Sequence, residues 1–350
     1  MQSFDELLKI GIEVGASDIH LSVGRPPSAR VDGEICLLGD EPLTPADTER
    51  VIDQIIGEAH KQILLRDGEV DFAYAVPGTG RFRVNAFRQR GSYAIATRIL
   101  NLSIPAPEQL GIPEAVVRMT EKRSGLVLVT GATGSGKSTT LASLINIINS
   151  NYNYHIITLE DPIEYLHKHG KSIVNQREMG SDSKDYAAAL RAALRQDPDV
   201  ILVGEMRDLE TISIAVTAAE TGHLVFSTLH TTGAANTIDR IIDVFPPHQQ
   251  QQIRTQLADV IECVVSQQLL PKKSGKGRVA AMEVMLATPA IRNHIREGKT
   301  FQIPTVMQTN RKMGMMMMDD ALLELYFGNQ ITQDTLLAFA SDKATMMRRI

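Results

Sequence analysis

Apolar residues at positions 4, 7, 8, 10, 12 and 14 recur at helical spacing, so residues 4–14 predict an amphipathic helix. Residues 18–21 alternate as a strand does, and Arg25-Pro26-Pro27 interrupts them. A second strand at 29–31 runs into Asp32-Gly33, a hairpin signal, and 35–38 completes the pair. Thr44-Pro45 opens a helical pattern over 44–65, with Asp47 in its first turn. Three further strands are predicted at 70–76, 81–88 and 93–99, separated by Pro77-Gly78 and Gly91.

Prolines at 105, 107 and 113 then mark a semi-rigid linker over 101–113. From 114 the pattern becomes α/β alternation. Short apolar runs at 126–129, 156–159, 200–203 and 224–227 have the length and β-branching of buried parallel strands. Helical segments lie at 137–149, 184–195 and 208–221. A hairpin-like pair, 266–270 and 278–285, leads to helices near 289–297, 319–327 and 332–340. No tandem repeat is visible. Met313 to Met318 is methionine-rich and reads as gap-filling core. The division is therefore a mixed α+β domain over 1–100, the linker, and an α/β domain over 114–350 with C-terminal helices from about 288.

Composition narrows the classes. The 350 residues are 43% hydrophobic and 22% charged, which excludes disorder as the main state. A net charge of −5 argues against a non-specific nucleic-acid or anionic-membrane binder. No apolar run reaches the ~18 residues that a membrane span needs, and the acidic start is unlike a secretory signal. Two widely separated cysteines, Cys36 and Cys263, make a disulfide scaffold or a four-cysteine zinc site unexpected. The expected compartment is the cytoplasm.

Gly131-Ala132-Thr133-Gly134-Ser135-Gly136-Lys137-Ser138 fits G-x-x-x-x-G-K-[ST], with an apolar strand before it and a helix after it. Such a loop curls backbone N–H groups around an anion at a helix N-terminus. The nucleotide-binding set is Thr133, Gly134, Ser135, Gly136, Lys137, Ser138 and Thr139. Lys137 is expected at the β and γ phosphates of ATP and Ser138 at Mg²⁺. Asp199 to Glu205 reads as a Walker B strand in which Gly204 replaces the usual aspartate, so Glu205 does that acid's work or shares it. Glu160, Asp161 and Glu164 follow another parallel strand, where ligands sit in open α/β sheets. Their ordinary alternative is helix capping. Ser138, Glu160 and Glu205 are the metal-binding candidates. His223 and His230 bracket a third strand, and His230 is the candidate γ-phosphate sensor because its strand should lie beside the P-loop strand. Arg81 and Arg83 share one face of a strand, opposite Phe82 and Val84. A paired arginine face suits charge on a transferred phosphoryl, or else is a solvated edge.

Together these residues resemble the type II/IV secretion ATPases, and within them the PilT-like type IV pilus retraction ATPases. The likeness rests on Ala16-Ser17-Asp18-Ile19-His20-Leu21, on Gly80-Arg81-Phe82-Arg83-Val84-Asn85, on 158–165, 199–208 and 221–231, and on the segment 290–297. That last segment is similar to the AIRNLIRE motif of the retraction subgroup, except at His294, where leucine is usual. The resemblance implies a PAS-like N-terminal domain and a RecA-like ATPase domain. It implies a homo-hexameric ring at the inner-membrane pilus base whose ATP hydrolysis drives pilin removal, with a platform protein and an accessory retraction ATPase as partners. It assigns catalytic work to Lys137, Glu164, Glu205, His230, Arg81 and Arg83, and a coupling surface to the 290–297 helix through Arg292 and Arg296.

Three alternatives compete. Pilus-assembly and type II secretion ATPases usually carry an extra N-terminal domain and a four-cysteine zinc insert. A PilU-like accessory ATPase is a closer rival, weighed against by 290–297. A RecA-like nucleic-acid motor is disfavoured by the acidic balance and by 5% aromatic residues without tryptophan.

Overall fold

The structure is a computed structural model that describes residues 3–31, 33–100 and 103–350. It divides into two compact units, Met1–Ser103 with Glu164–Leu166, and Ile104–Ile163 with His167–Ile350.

The first unit is built on one antiparallel sheet. Its strands are β1 (Asp18–Leu21), β2 (Ser28–Val31), β3 (Glu34–Leu37), β4 (Glu69–Val76), β5 (Gly80–Gln89) and β6 (Ser92–Ile99), in the order β3-β2-β1-β6-β5-β4. Val31 pairs with Glu34 across the expected hairpin, whose Asp32 lies outside the described residues. The helix Phe4–Glu13 begins with a capping box in which Ser3 accepts from the Glu6 N–H and Glu6 accepts from the Ser3 N–H. Its Phe4, Leu7 and Leu8 enter a core with Ile19, Phe82 and Val84. The single helix expected over 44–65 is two, Pro45–Ile55 and Glu58–Asp67. Ile56 turns extended and Gly57 caps the second helix, so the apolar period restarts there.

The second unit is a seven-stranded sheet. Its strands are β7 (Gly125–Thr130), β8 (His155–Glu160), β9 (Ile173–Glu178), β10 (Val200–Val203), β11 (Leu224–Leu229), β12 (Ile261–Pro271) and β13 (Arg278–Leu286). The order is β13-β12-β7-β11-β10-β8-β9, parallel except for the β12–β13 hairpin. Both faces of the central strands are covered, which is why β7, β10 and β11 are almost wholly apolar. Leu126 and Leu128 pack on one side with Ile201 and Val225, and Val127 and Val129 on the other with Leu144 and Phe226. Helices Ala234–Asp243 and Pro247–Val260, and strand β9, occupy stretches where the sequence pattern names no element. The stretch expected as an extended linker carries a short helical turn at Pro107–Leu110, a second turn, Glu114–Val117, follows directly after the stretch, and Asn101 and Leu102 lie outside the described residues. Met315 and Met318 are buried, as the core reading of the methionine run requires, whereas Met313 is half exposed. Among the described residues no helix is long and apolar enough to cross a membrane.

Candidate active site

In a parallel sheet the ligand-binding groups collect at the C-terminal strand ends, and here the strand order sets them side by side. The P-loop leaves β7, His230 follows β11, Glu205 follows β10, and Glu160 ends β8.

The P-loop runs directly into the helix Lys137–Asn151. Gly131, Gly134 and Gly136 all have positive φ, a region open to glycine at little cost. The helix cap, Gly136, makes no side-chain capping bond and the first turn has no acid. Neighbouring helices are capped instead, by Asp185 on the Ala188 N–H and Asp208 on the Thr211 N–H, each at 2.8 Å. No carboxylate therefore competes for the positive dipole end of the Lys137–Asn151 helix, which suits an anion. Lys137 is 9% exposed, and its Nζ donates to the carbonyls of Gly131 at 2.9 Å and Ala132 at 3.1 Å. The ammonium is held inside the loop that it serves.

His230 sits between the loop and the acid. Its Nδ1 is 3.5 Å from Thr133 Oγ1 and its Nε2 is 3.3 Å from Glu205 Oε2. A carboxylate accepts only, so an Nε2–H tautomer donates to Glu205 and leaves Nδ1 to accept from the Thr133 hydroxyl. Glu205 is nearly buried, with its side chain 12% exposed, and also pairs with Arg207 Nε at 2.7 Å. That arginine is 74% exposed and can leave at little cost. Glu160 Oε1 accepts from Thr158 Oγ1 at 2.6 Å and Gln176 Nε2 at 3.0 Å, which fixes this carboxylate at the end of β8. Tyr186 faces the same acids. Burial raises its phenol above the ordinary value, and the charges of Glu205, Asp161 and Glu160 raise it further, so the hydroxyl stays protonated. Beside Glu205 and His230 opens a cavity of about 490 Å³ bordered by Arg207 and Arg240 over Ile212 and Val244.

Of the sequence candidates, the structure brings together Thr133 to Thr139, Glu160, Glu205 and His230. His223 does not join them. It precedes β11 rather than following it, and its Nδ1 lies 2.9 Å from the Ala218 carbonyl, at the N-terminal ends of the strands and away from the site. Glu164 is exposed and groups with the first unit, as do Arg81 and Arg83. On β5, Phe82 and Val84 are fully buried, as alternation requires, and Arg83 Nε lies 3.5 Å from Asp71 Oδ1 in an exposed pair. Two contributors, Tyr186 and Gln267, carry no motif in the sequence, and Arg207 lies within the 199–208 motif without being singled out by it. Gln267 is one of two adjacent amides in a strand that also carries Glu262 and Ser266, so nothing in the sequence set it apart.

On the 290–297 helix, Ile291 and Ile295 are fully buried on one face. Arg292 is not a free surface group. Its Nη1 donates to the carbonyls of Ala258 at 2.7 Å and Asp259 at 2.8 Å, and its Nη2 pairs with Glu262 at 2.7 Å. It therefore closes the C-terminus of the Pro247–Val260 helix. Arg296 pairs with Asp259. Glu297 accepts from Asn293 Nδ2 at 3.0 Å, within its own helix, and His294 is half-buried.

A helix-flanked parallel sheet, a glycine loop opening a helix, and an acid and a histidine on the adjoining strand ends define a RecA-like P-loop ATPase domain, here preceded by an α+β domain. The profile of the family described as "Type II/IV secretion system protein" matches residues 81–335, and the chain belongs to that family. It is 48% identical to the type IV pilus retractation ATPase PilT of Pseudomonas aeruginosa, over 94% of this chain and 95% of that protein. It is 40% identical to the type IV pilus ATPase PilU of the same organism, over 99% of this chain and 90% of that one. A crystal structure of the pilus retraction motor PilT with bound ADP superposes with a TM-score of 0.93 at 51% identity, covering 99% of this chain and all of that one.

Proposed function

We propose that the chain is an ATP-hydrolysing motor of type IV pilus retraction, working as a homo-hexamer at the cytoplasmic face of the inner membrane on the pilus platform protein, with an accessory retraction ATPase alongside. Hydrolysis rests on one observation above all, the continuous line from Thr133 through His230 to Glu205, which links the phosphate loop to the acid. The direction of work rests on the likeness to the retractation ATPase over nearly the whole chain.

In this reading the N–H groups of 133–139 and the Lys137 ammonium hold the phosphates, and His230 senses the γ-phosphate. Glu205 accepts a proton from the attacking water or shares the metal, and Glu164 assists. Mg²⁺ would be held by the Ser138 hydroxyl with Glu205 and Glu160, and would neutralise charge on the transferred phosphoryl. The hard oxygen donors present suit it, since Mg²⁺ in nucleotide sites is bound by few protein ligands. Arg81 and Arg83 lend positive charge in the assembled ring. The exposed Arg83–Asp71 pair is weak enough to open for that purpose. The domains remain those read from sequence, 1–100 and 114–350.

Steady-state hydrolysis by the purified chain tests this reading. The expected result is Mg²⁺-dependent turnover that single-stranded DNA or RNA leaves unchanged, from a particle of hexamer mass. Absent turnover, or turnover stimulated by nucleic acid, would overturn it.

A further inference from the structure

Gln267 lies on β12, the strand beside the P-loop strand on the side away from His230, and is 3% exposed. Its Nε2 donates to the Ser135 carbonyl at 2.7 Å, and its Oε1 accepts from Thr140 Oγ1 at 2.8 Å. Its own carbonyl oxygen stands 2.3 Å from where a Cβ on Gly131 would be, and its Nε2 stands 2.8 Å from where a Cβ on Gly136 would be. One residue thus meets the P-loop at its first glycine, at Ser135, at its last glycine and through the first turn of the following helix.

We infer that Gln267 is a positioning residue for the nucleotide, which it serves by orienting the Ser135–Gly136 peptide; this rests on the nucleotide-binding reading above. A trans peptide is planar, with its N–H antiparallel to its C=O. Pinning the Ser135 carbonyl toward β12 turns the Gly136 N–H to the opposite side, the open side of the loop where an anion is received. An amide alone among the side chains of this length supplies both a donor for the carbonyl and an acceptor for the Thr140 hydroxyl. Glutamate offers no donor while ionised, leucine offers neither group, and asparagine is one methylene short. The contacts also explain why Gly131 and Gly136 must be glycine: any side chain there meets Gln267 as well as a positive φ.

The test uses the assembled protein, with binding of a fluorescent ATP analogue in Mg²⁺ and steady-state kinetics as readouts. Gln267→Leu leaves a buried carbonyl without its donor and should weaken nucleotide binding on the order of tenfold or more. The loss should fall in KM more than in kcat. Thr140→Val is nearly isosteric, removes only the hydroxyl that orients the amide, and should weaken binding about threefold while the protein stays folded. Gln267→Glu distinguishes positioning from packing. Its ionised form cannot donate to Ser135 and its protonated form can, so affinity should recover as pH falls toward the carboxyl range. Binding by Gln267→Leu and Thr140→Val within twofold of wild type would overturn the inference. So would a Gln267→Glu deficit that is the same at every pH. If wild type itself binds no nucleotide, the parent reading fails. If wild type binds, Lys137→Ala does not, and the Gln267 variants bind normally, only this inference fails.

Discussion

A Cβ on Gly204 would stand 2.8 Å from the Tyr186 hydroxyl, 3.1 Å from the Leu159 carbonyl and 3.4 Å from the Glu160 Cα. The aspartate that ordinarily closes such a strand has no room here, so the acid moves one residue on, to Glu205. Gly204→Ala should cost about 1–3 kcal/mol by overpacking, and adding Tyr186→Phe should recover part of it because the nearest atom is gone. Equal stability of the single and double variants in chemical denaturation would contradict this account. Glu205 itself is bracketed by His230 and Arg207. Glu205→Gln keeps the shape and removes the basic oxygen, so ATP should still bind while turnover falls by a hundredfold or more, on the order expected for general-base loss. Lost nucleotide binding in that variant would recast Glu205 as chiefly a metal ligand. The P-loop, Glu205 and His230 were legible in the sequence because each is a polar residue at a fixed place after an apolar run. Tyr186 and Gln267 were not, because their contacts depend on which strands and helices become neighbours across long separations in the chain.

The apolar runs announced the central strands, because a strand buried on both faces has few polar positions. Strand β9 was invisible for the converse reason. It is an edge strand whose Asn175, Gln176 and Arg177 face polar surroundings, so no apolar run marks it. The helix Pro247–Val260 is hidden by its four consecutive glutamines, with only Ile253, Leu257, Ala258 and Val260 buried. Its end is held by Arg292. Arg292→Ala should strand two helix-end carbonyls, leave Glu262 with Lys122 as its remaining ion-pair partner, and cost about 1–3 kcal/mol. It should therefore lower the unfolding midpoint along with motility, whereas a normal midpoint with motility lost would restore a pure coupling role. A second junction is Glu283 on β13, which accepts from the Ala234 N–H at 2.7 Å and the Met318 N–H at 3.3 Å, and so joins the helix after His230 to the C-terminal helices. Burial raises its carboxyl above the ordinary 4.5, the two N–H bonds opposing this. Because the folded value exceeds the unfolded one, the ionised group costs stability above that pH and nothing well below it. Stability of wild type relative to Glu283→Gln should fall as pH rises through and above the ordinary carboxyl value of 4.5. A pH-independent difference would contradict the burial argument.

For the whole molecule, the chemistry at the strand ends is shared by motors that extend pili and motors that withdraw them. Hydrolysis alone therefore does not separate these, and the claim of retraction stands on the cell. The low cysteine count fits a motor without a four-cysteine zinc insert, since Cys36 and Cys263 are the only two and Cys263 is fully buried, its thiol pushed up to about 12 by burial. The most direct measurement is to replace the chromosomal gene of a piliated host with its Lys137→Ala form and count surface pili beside a twitching assay. Lys137 holds the phosphate loop together from within and carries the charge that ATP meets, so its loss should stop the motor without emptying the cell of the subunit. Retraction predicts cells with more surface pili than wild type and no twitching. Cells stripped of pili would contradict it and assign the chain to assembly.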